Sequence, residues 1–323
     1  MYKVTSMADS RIQEFVVELW NRFPEQVRRN EPMRSHTTYQ VGGPATAFCQ
    51  PESVEVLEEI VKSCYREKIP VYLLGTGSNV LINDNHLDMI VINLERCCAE
   101  LKLDGKKLYA GAGVLVSDLV DFCERHDLAG LDFMAGIPGM VGGALRMNAG
   151  AFVGEIGDRV LLIDAMSYQG DTMKITKDKA GFGYRQATNL QDKIMLGCQL
   201  ELLDGSREDL QKSKESYLQR RSDKQPLDYG SCGSVFKRPQ ANYAGALIEQ
   251  AGCKGLRIGG AMVSEKHANF IINYQNATAM DIYRLIVEVQ EKVYRKFKVW
   301  LELEVKLIGF SPAEEAKVRN PHE

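Results

Sequence analysis

The sequence predicts a multidomain α+β protein, and three observations carry that expectation. At 323 residues the chain is too long for one core of the commonest size. Segments with helical apolar spacing alternate with short strand-like runs that end in glycine turns. The chain then closes on a strongly amphipathic helix followed by an alternating strand.

The elements follow in order. Ile12, Phe15, Val16, Leu19, Trp20 and Phe23 recur at helical spacing, and Pro24 marks the stop. Val54, Leu57, Ile60, Val61 and Cys64 make the face of a second helix. PVYLLG then reads as a buried strand before the GTGSN turn at Gly75–Asn79, and VLIND and MIVINL as short strands. Residues 107–113 form a further strand, 116–127 a helix, and strands recur at VLLIDAMSY and KIMLGCQLELL. The charged segment 207–226 is a helical linker into the last part of the chain. Thr278 and Asp281 open the long C-terminal helix with a capping-box pattern, Asp standing where Glu or Gln is usual. Its apolar stripe is Ile282, Leu285, Ile286, Val289, Val293 and Phe297. In the final strand, 299–309, Leu301, Leu303, Val305 and Leu307 share one face, with Glu302, Glu304 and Lys306 on the other.

The composition is ordinary for a globular protein, 45% apolar and 26% charged. A net charge of −3 gives no global attraction to nucleic acid or an anionic membrane, so an anionic substrate needs a local basic pocket. No run of ~18 apolar residues offers a membrane span. Asp9, Arg11, Glu14 and Glu18 interrupt any leader-like segment, which leads to the expectation of a cytoplasmic protein. Eight scattered cysteines without a CxxC pair read as reduced thiols, and five dispersed histidines suggest no metal site.

Two glycine-rich stretches stand out. GTGSNV and GAGVLV lack the third glycine of a dinucleotide fingerprint, and no GK[ST] follows to make a P-loop. Phosphate-binding physics still applies. Gly75 and Gly77 let the backbone turn and present N–H groups, and Thr76 lies between them. Ser78 and Asn79 add side-chain donors. Gly136, Gly139, Gly142 and Gly143, with Ile137 and Pro138 among them, strip side-chain bulk from 135–152, so a flat ring or pyrophosphate can lie against the main chain. Asn148, Ala149 and Gly150 follow immediately.

Seven blocks occur in an order that resembles one family. They are HTTYQVGG (36–43), GTGSN (75–79), GIPGMVGGALRMNAGAF (136–152), YR (184–185), GSVFKRP (233–239), KHANFIIN (266–273) and LELEVKLIG (301–309). Together they are similar to the UDP-N-acetylenolpyruvoylglucosamine reductase family. The glycine blocks alone also suit the wider set of flavoproteins with the vanillyl-alcohol-oxidase (PCMH) type of FAD fold. The YR, GSVF and LELEV blocks narrow the choice.

The resemblance implies two small subdomains that hold FAD without a covalent bond, then a C-terminal α+β substrate-binding domain. On that basis residues 1–97 and 98–208 are the expected FAD-binding subdomains, 209–309 the substrate-binding domain and 310–323 a tail. Only 49 residues separate Arg185 from Ser234, which suits the shorter branch without an extra substrate-covering loop. The implied reaction passes a hydride from NADPH through FAD to the enolpyruvyl ether of UDP-N-acetylglucosamine and yields UDP-N-acetylmuramate. The implied cofactor-binding residues are Gly75–Asn79, Gly136–Gly139, Gly142, Gly143 and Asn148–Gly150.

Charge requirements can be stated apart from the family. An enolate-like intermediate needs a cation or strong donors at its carboxylate and an acid near the carbon to be protonated. Arg185 suits the first role, because its planar fork can pair with a carboxylate through two hydrogen bonds. The resemblance assigns the acid to Ser234. Cys232, two residues away, is a better acid by its reference pKa and stands as a rival. Periodicity leaves Glu302 and Glu304 equivalent, and the resemblance selects Glu304 as the functional carboxylate.

Lys237, Arg238, Lys266 and His267 are candidates for the anionic UDP portion, against a plain reading as a solvated basic face. Three positions depart from the family's frequent residues. Arg238 replaces Asn, which alters a substrate contact; Ala187 replaces Ser; Arg146 replaces Tyr. Two other functions fit less of the sequence. A related FAD-dependent sugar or alcohol oxidase would turn over with oxygen in place of NADPH. A non-catalytic flavin- or nucleotide-binding module would bind the cofactor without oxidising NADPH.

Overall fold

The computed structural model describes residues 7–319 apart from Ala241. The chain divides into two compact units. The first takes the residues up to Glu31, Ala45–Gly75 and Asp88–Arg220; the second takes Pro32–Pro44, Thr76–Leu87 and the chain from Arg221 onward.

In the first unit, helix Met7–Arg22 buries Ile12, Phe15, Val16 and Leu19. Trp20, expected on the same stripe, is 42% exposed. At 3.6 residues per turn it lies about 80° from the centre of that stripe, at its rim. Helix Val54–Glu67 starts on Ser53, whose hydroxyl accepts the Val56 amide, and buries Leu57, Ile60, Val61 and Cys64. A four-stranded sheet has the order Val27–Pro32, Pro44–Cys49, Leu87–Ile92, Val71–Leu73, and its last pair is parallel. A five-stranded sheet runs Thr172–Thr176, Val160–Met166, Ile194–Glu201, Lys107–Gly111, Leu101–Asp104, all antiparallel. One continuous apolar core serves both sheets, from Ile12 through Ile90 and Leu145 to Leu202. The charged helix, Arg207–Lys224, follows.

The second unit has its own core, built on helix Ala279–Phe297, which packs against the sheet Gly230–Ser231, Ile271–Asn273, Ala261–Val263, Arg257–Ile258. The capping box forms with Asp281: Thr278 Oγ1 accepts the Asp281 amide at 3.0 Å and Asp281 Oδ2 accepts the Thr278 amide at 3.0 Å.

The expected strand over 299–309 is shorter. Only Lys306–Ile308 is regular, parallel to Val80–Ile82. The segment before it changes partner: Leu303 bridges Phe236, Lys237 N donates to Glu302 O at 2.8 Å, and Glu304 N donates to Val235 O at 2.8 Å. A chain that leaves one neighbour for another halfway along cannot keep one ladder. Its alternation survives, with Leu301 and Val305 buried and Glu302 and Lys306 exposed.

Candidate functional site

The residues 136–150 present main chain where side chains would otherwise stand. Gly136 and Gly139 take φ of +75° and +131°, the region that favours glycine. Gly136 and Pro138 are exposed, and Ile137 and Gly139 half-buried. The helix Val141–Met147 follows, anchored from behind as Val141 N donates to Val114 O and Gly142 N to Ala112 O, each at 2.9 Å. A Cβ on Gly142 would come within 3.1 Å of Ala112 Cβ, whereas one on Gly143 would meet nothing within 4 Å. Close packing against Ala112 thus favours glycine at the first position, and the second faces open space.

Asn148 ends this helix at φ +43°. Its side chain is spent inside the unit: Nδ2 donates to Glu155 Oε2 and to Gly183 O, and Oδ1 accepts the Gly157 amide. At 2% exposure it offers a ligand no side chain. Ala149 N bonds Ala144 O at 2.8 Å, and Gly150 pairs with Glu155 in a tight hairpin.

Arg185 sits at the tip of a second hairpin, Phe182–Gly183 with Gln186–Ala187. Its φ of +55° is uncommon for a residue with a Cβ. Nη1 donates to Gly150 O at 2.9 Å, which ties the arginine to the end of the glycine passage. Arg146 has a bracing role that the sequence reading missed: Nη1 and Nη2 donate to Gln191 O at 2.7 Å and Lys193 O at 2.8 Å. The loop after the hairpin is therefore held by the residue that departs from the family's usual Tyr.

The GTGSN loop crosses the division between the units, with Gly75 in the first and Thr76–Asn79 in the second. Asn93 Nδ2 donates to Leu74 O at 2.9 Å and Gly75 O at 3.2 Å. Gly77 has φ +67°, and a Cβ there would stand 2.2 Å from His36 O, so no other residue fits. Thr38 donates to Gly77 O from its amide and its hydroxyl, both at 3.3 Å, and Lys306 N donates to Asn79 O at 3.0 Å. The Gly75, Gly77 and Asn79 carbonyls are thus drawn back into the protein. Thr76 Oγ1 is buried without a hydrogen-bond partner among the described residues. Ser78 completes the loop, half-buried.

In the second unit, Ser234 and Glu304 are placed by one backbone pairing. Val235 O accepts the Glu304 amide at 2.8 Å, and both Ser234 and Glu304 are half-buried. Asn79 Nδ2 donates to Glu304 O at 3.3 Å, so the glycine loop holds the same segment. Asn269 grips the other side: its O and Oδ1 accept the Val235 and Phe236 amides at 2.9 and 3.1 Å, and its Nδ2 donates to Phe236 O at 2.9 Å. The HANF block contained Asn269, but only its basic neighbours drew attention in the sequence. The two glutamates that periodicity left equivalent differ sharply, since Glu302 is exposed and pairs with Lys237.

Cys232 is buried, and its Sγ donates to Val80 O at 2.9 Å. Burial, only partly offset by contacts with Thr38 and Val80, pushes its thiol up to about 12. Of the basic candidates, Arg238 is exposed and lies over the Tyr243 ring at 4.1 Å. Lys266 is exposed and donates to Ser222 O. His267 is half-buried, its Nδ1 accepts the Asn269 amide at 3.3 Å, and burial holds its pKa below the ordinary value.

These features fit FAD in two ways. The exposed main chain at Gly136–Gly139 and the open space at Gly143 can receive a flat ring or a pyrophosphate. The Thr76 hydroxyl supplies an unsatisfied donor in a loop whose Gly75, Gly77 and Asn79 carbonyls are bonded within the protein.

Comparison with known proteins agrees. Residues 45–176 match the FAD binding domain family, and residues 225–308 match the C-terminal domain of UDP-N-acetylenolpyruvoylglucosamine reductase. The chain is 38% identical over 299 residues to the UDP-N-acetylenolpyruvoylglucosamine reductase of Clostridioides difficile (strain 630), covering 92% of this chain and 98% of that protein. It is 40% identical over 300 residues to UDP-N-acetylenolpyruvoylglucosamine reductase 2 of Bacillus cereus (strain ATCC 10987 / NRS 248), with 92% and 98% covered. The crystal structure of the Thermus caldophilus enzyme (MurB) superposes with a TM-score of 0.76 at 32% identity, over 88% of this chain and 99% of that one. The expected fold, an FAD-binding module of the vanillyl-alcohol-oxidase type with a C-terminal α+β domain, is borne out. This chain belongs to the UDP-N-acetylenolpyruvoylglucosamine reductase family.

Proposed function

We propose that the chain reduces UDP-N-acetyl-3-O-(1-carboxyvinyl)glucosamine to UDP-N-acetylmuramate, with NADPH as hydride donor, for peptidoglycan synthesis in the cytoplasm. The observation that carries this reading is family membership over nearly the full length of the relatives. When bound, FAD would supply the hydride-transfer chemistry that links NADPH to the vinyl group of the substrate.

The protein's own residues do the rest. Gly75–Asn79, Gly136–Gly139, Gly142 and Gly143 contact the cofactor through main chain and short side chains, and Asn148, Ala149 and Gly150 end the Gly136–Gly150 stretch. Arg185, fixed by Gly150 O, pairs with the substrate carboxylate and stabilises negative charge that spreads into it. Ser234 supplies the proton at the carbon next to that carboxylate. Its free hydroxyl is a poor acid, so the serine relays a proton from water. Glu304 stands beside the substrate carboxylate, where two neighbouring carboxyl groups resist double ionisation, and carries a proton there. Lys237, Arg238, Lys266 and His267 face the diphosphate and uridine.

Residues 1–97 and 98–208 are read as the two FAD-binding subdomains. Residues 209–309 form the substrate-binding domain and 310–323 a tail, in which Pro312–Val318 is helical.

Purified protein should be yellow and, under anaerobic conditions, should oxidise NADPH beyond one equivalent per flavin only when the enolpyruvyl ether is present, with UDP-N-acetylmuramate identified by mass. Oxygen-dependent turnover of a sugar without NADPH would instead indicate an oxidase. A saturated flavin that never oxidises NADPH would indicate a binding module.

A further inference from the structure

Away from the residues assigned to that reaction, the first unit has a cavity of about 480 Å³ against its five-stranded sheet. Cys97, Cys98, Tyr109, Asp164 and Lys174 are among its walls. The two cysteines are adjacent in sequence, and their sulfurs stand 3.6 Å apart. Cys97 is half-buried and Cys98 is 5% exposed. The other six cysteines, Cys49, Cys64, Cys123, Cys198, Cys232 and Cys253, are buried.

The backbone here is clamped. The amide of Cys98, half of the peptide that joins the pair, donates to Leu94 O at 3.0 Å. Cys98 O accepts the Gly113 amide at 2.8 Å, and a Cβ on Gly111 would lie 2.2 Å from that oxygen. Closing a disulfide would require this peptide to distort. Cα atoms across a trans peptide stand about 3.8 Å apart, whereas ordinary disulfides span roughly 4.4–6.8 Å. A ligand that bridges two separate sulfurs makes no such demand.

We infer that Cys97 and Cys98 form a vicinal dithiol site that captures trivalent arsenicals through both sulfurs. Each thiol displaces one hydroxide from an organoarsenic(III) dihydroxide. Two As–S bonds form, two As–O bonds break, the thiol protons leave with the hydroxides as two waters, and arsenic stays trivalent. Attack begins at Cys97. Cys98 can donate its S–H to the Cys97 sulfur, which lowers the Cys97 pKa and raises that of Cys98. The thiolate is the attacking form. Neither cysteine belongs to the groups proposed for cofactor or substrate, so capture is a separate property of the first unit.

The test treats the purified full-length protein with phenylarsine oxide and measures its mass under native conditions. One phenylarsenic per chain is expected, stable to excess 2-mercaptoethanol and removed by dithiothreitol. Cys97→Ser and Cys98→Ser should each abolish the stable adduct, and Cys232→Ser should keep it. Because a variant can misfold, the wild-type protein is also alkylated after capture and mapped by peptide mass. Cys97 and Cys98 should be protected from the alkylating agent and regain reactivity after dithiothreitol. No adduct on the folded protein, an adduct lost in monothiol, or protection mapped to other cysteines would overturn the assignment.

Discussion

Arg185 donates from Nη1 to the carbonyl of Gly150 at 2.9 Å while its own backbone holds φ at +55°. A left-handed conformation costs a residue with a Cβ roughly 1–2 kcal/mol. Glycine would occupy it without that cost, yet an arginine stands there. Arg185→Gly should therefore leave thermal stability little changed, as relief of strain offsets the lost hydrogen bond. Reoxidation of reduced flavin by the enolpyruvyl substrate should slow about 100-fold or more, the usual scale for losing a group that stabilises developing charge. Stopped-flow absorbance of the flavin checks the rate and a thermal melt checks the stability. Unchanged reoxidation would remove Arg185 from the reaction.

Ser234 and Glu304 are held by the same Val235 backbone, so their side chains can be changed without altering that pairing. Ser234→Ala should leave reduction of the flavin by NADPH intact and slow the second half-reaction by about 10²–10⁴, the range for losing a positioned proton donor. Glu304→Gln should likewise retain the yellow cofactor. Equal losses in both half-reactions for Ser234→Ala, or a colourless Glu304→Gln protein, would assign these residues to structure.

Cys232 was the rival proton donor, being the stronger acid in water. Burial raises its thiol to about 12, and its hydrogen bond to Val80 O commits the proton. The thiol should resist iodoacetamide in the folded protein at pH 8. Cys232→Ala should keep the second half-reaction within a few-fold of wild type. A selective loss there would restore the cysteine to the mechanism.

The capping box of helix Ala279–Phe297 gives a pH dependence. Burial alone would raise the Asp281 pKa, but the amides of Thr278 and Gly260, together with the Thr278 hydroxyl and the Arg284 charge, outweigh it and hold the carboxyl below its usual range. A depressed folded pKa means that the stabilisation is present above the unfolded value, about 3.9, and is lost as pH falls through the folded one. Asp281→Asn should flatten that part of the acid limb in urea unfolding of the second unit. Thr278→Ala should cost about 1 kcal/mol at neutral pH, as for other N-caps.

Much of this fold was legible because local periodicity decided it. The helices Val54–Glu67 and Ala279–Phe297 follow their apolar stripes and caps. The strands Val27–Pro32 and Thr172–Thr176 were not foreseen, because their sequences VRRNEP and TMKIT are largely polar and owe their form to neighbours. The partner change before Lys306 was hidden for the same reason, since no local signal says which backbone a strand will meet. At the site, glycines that need positive φ, such as Gly77 and Gly139, were visible as a pattern. The bracing residues Asn93, Arg146 and Asn269 were not, because each acts on a backbone carbonyl or amide distant in sequence or outside its own element.

One measurement bears most directly on the central claim. Holoprotein is mixed anaerobically with one equivalent of NADPH, and the bleached flavin is then mixed with the enolpyruvyl ether of UDP-N-acetylglucosamine. The flavin absorbance should return fully, at a rate that rises with substrate to a plateau, and UDP-N-acetylmuramate should form in equal amount. A flavin that stays reduced with that substrate, or one that recovers only when oxygen is admitted, would contradict the account.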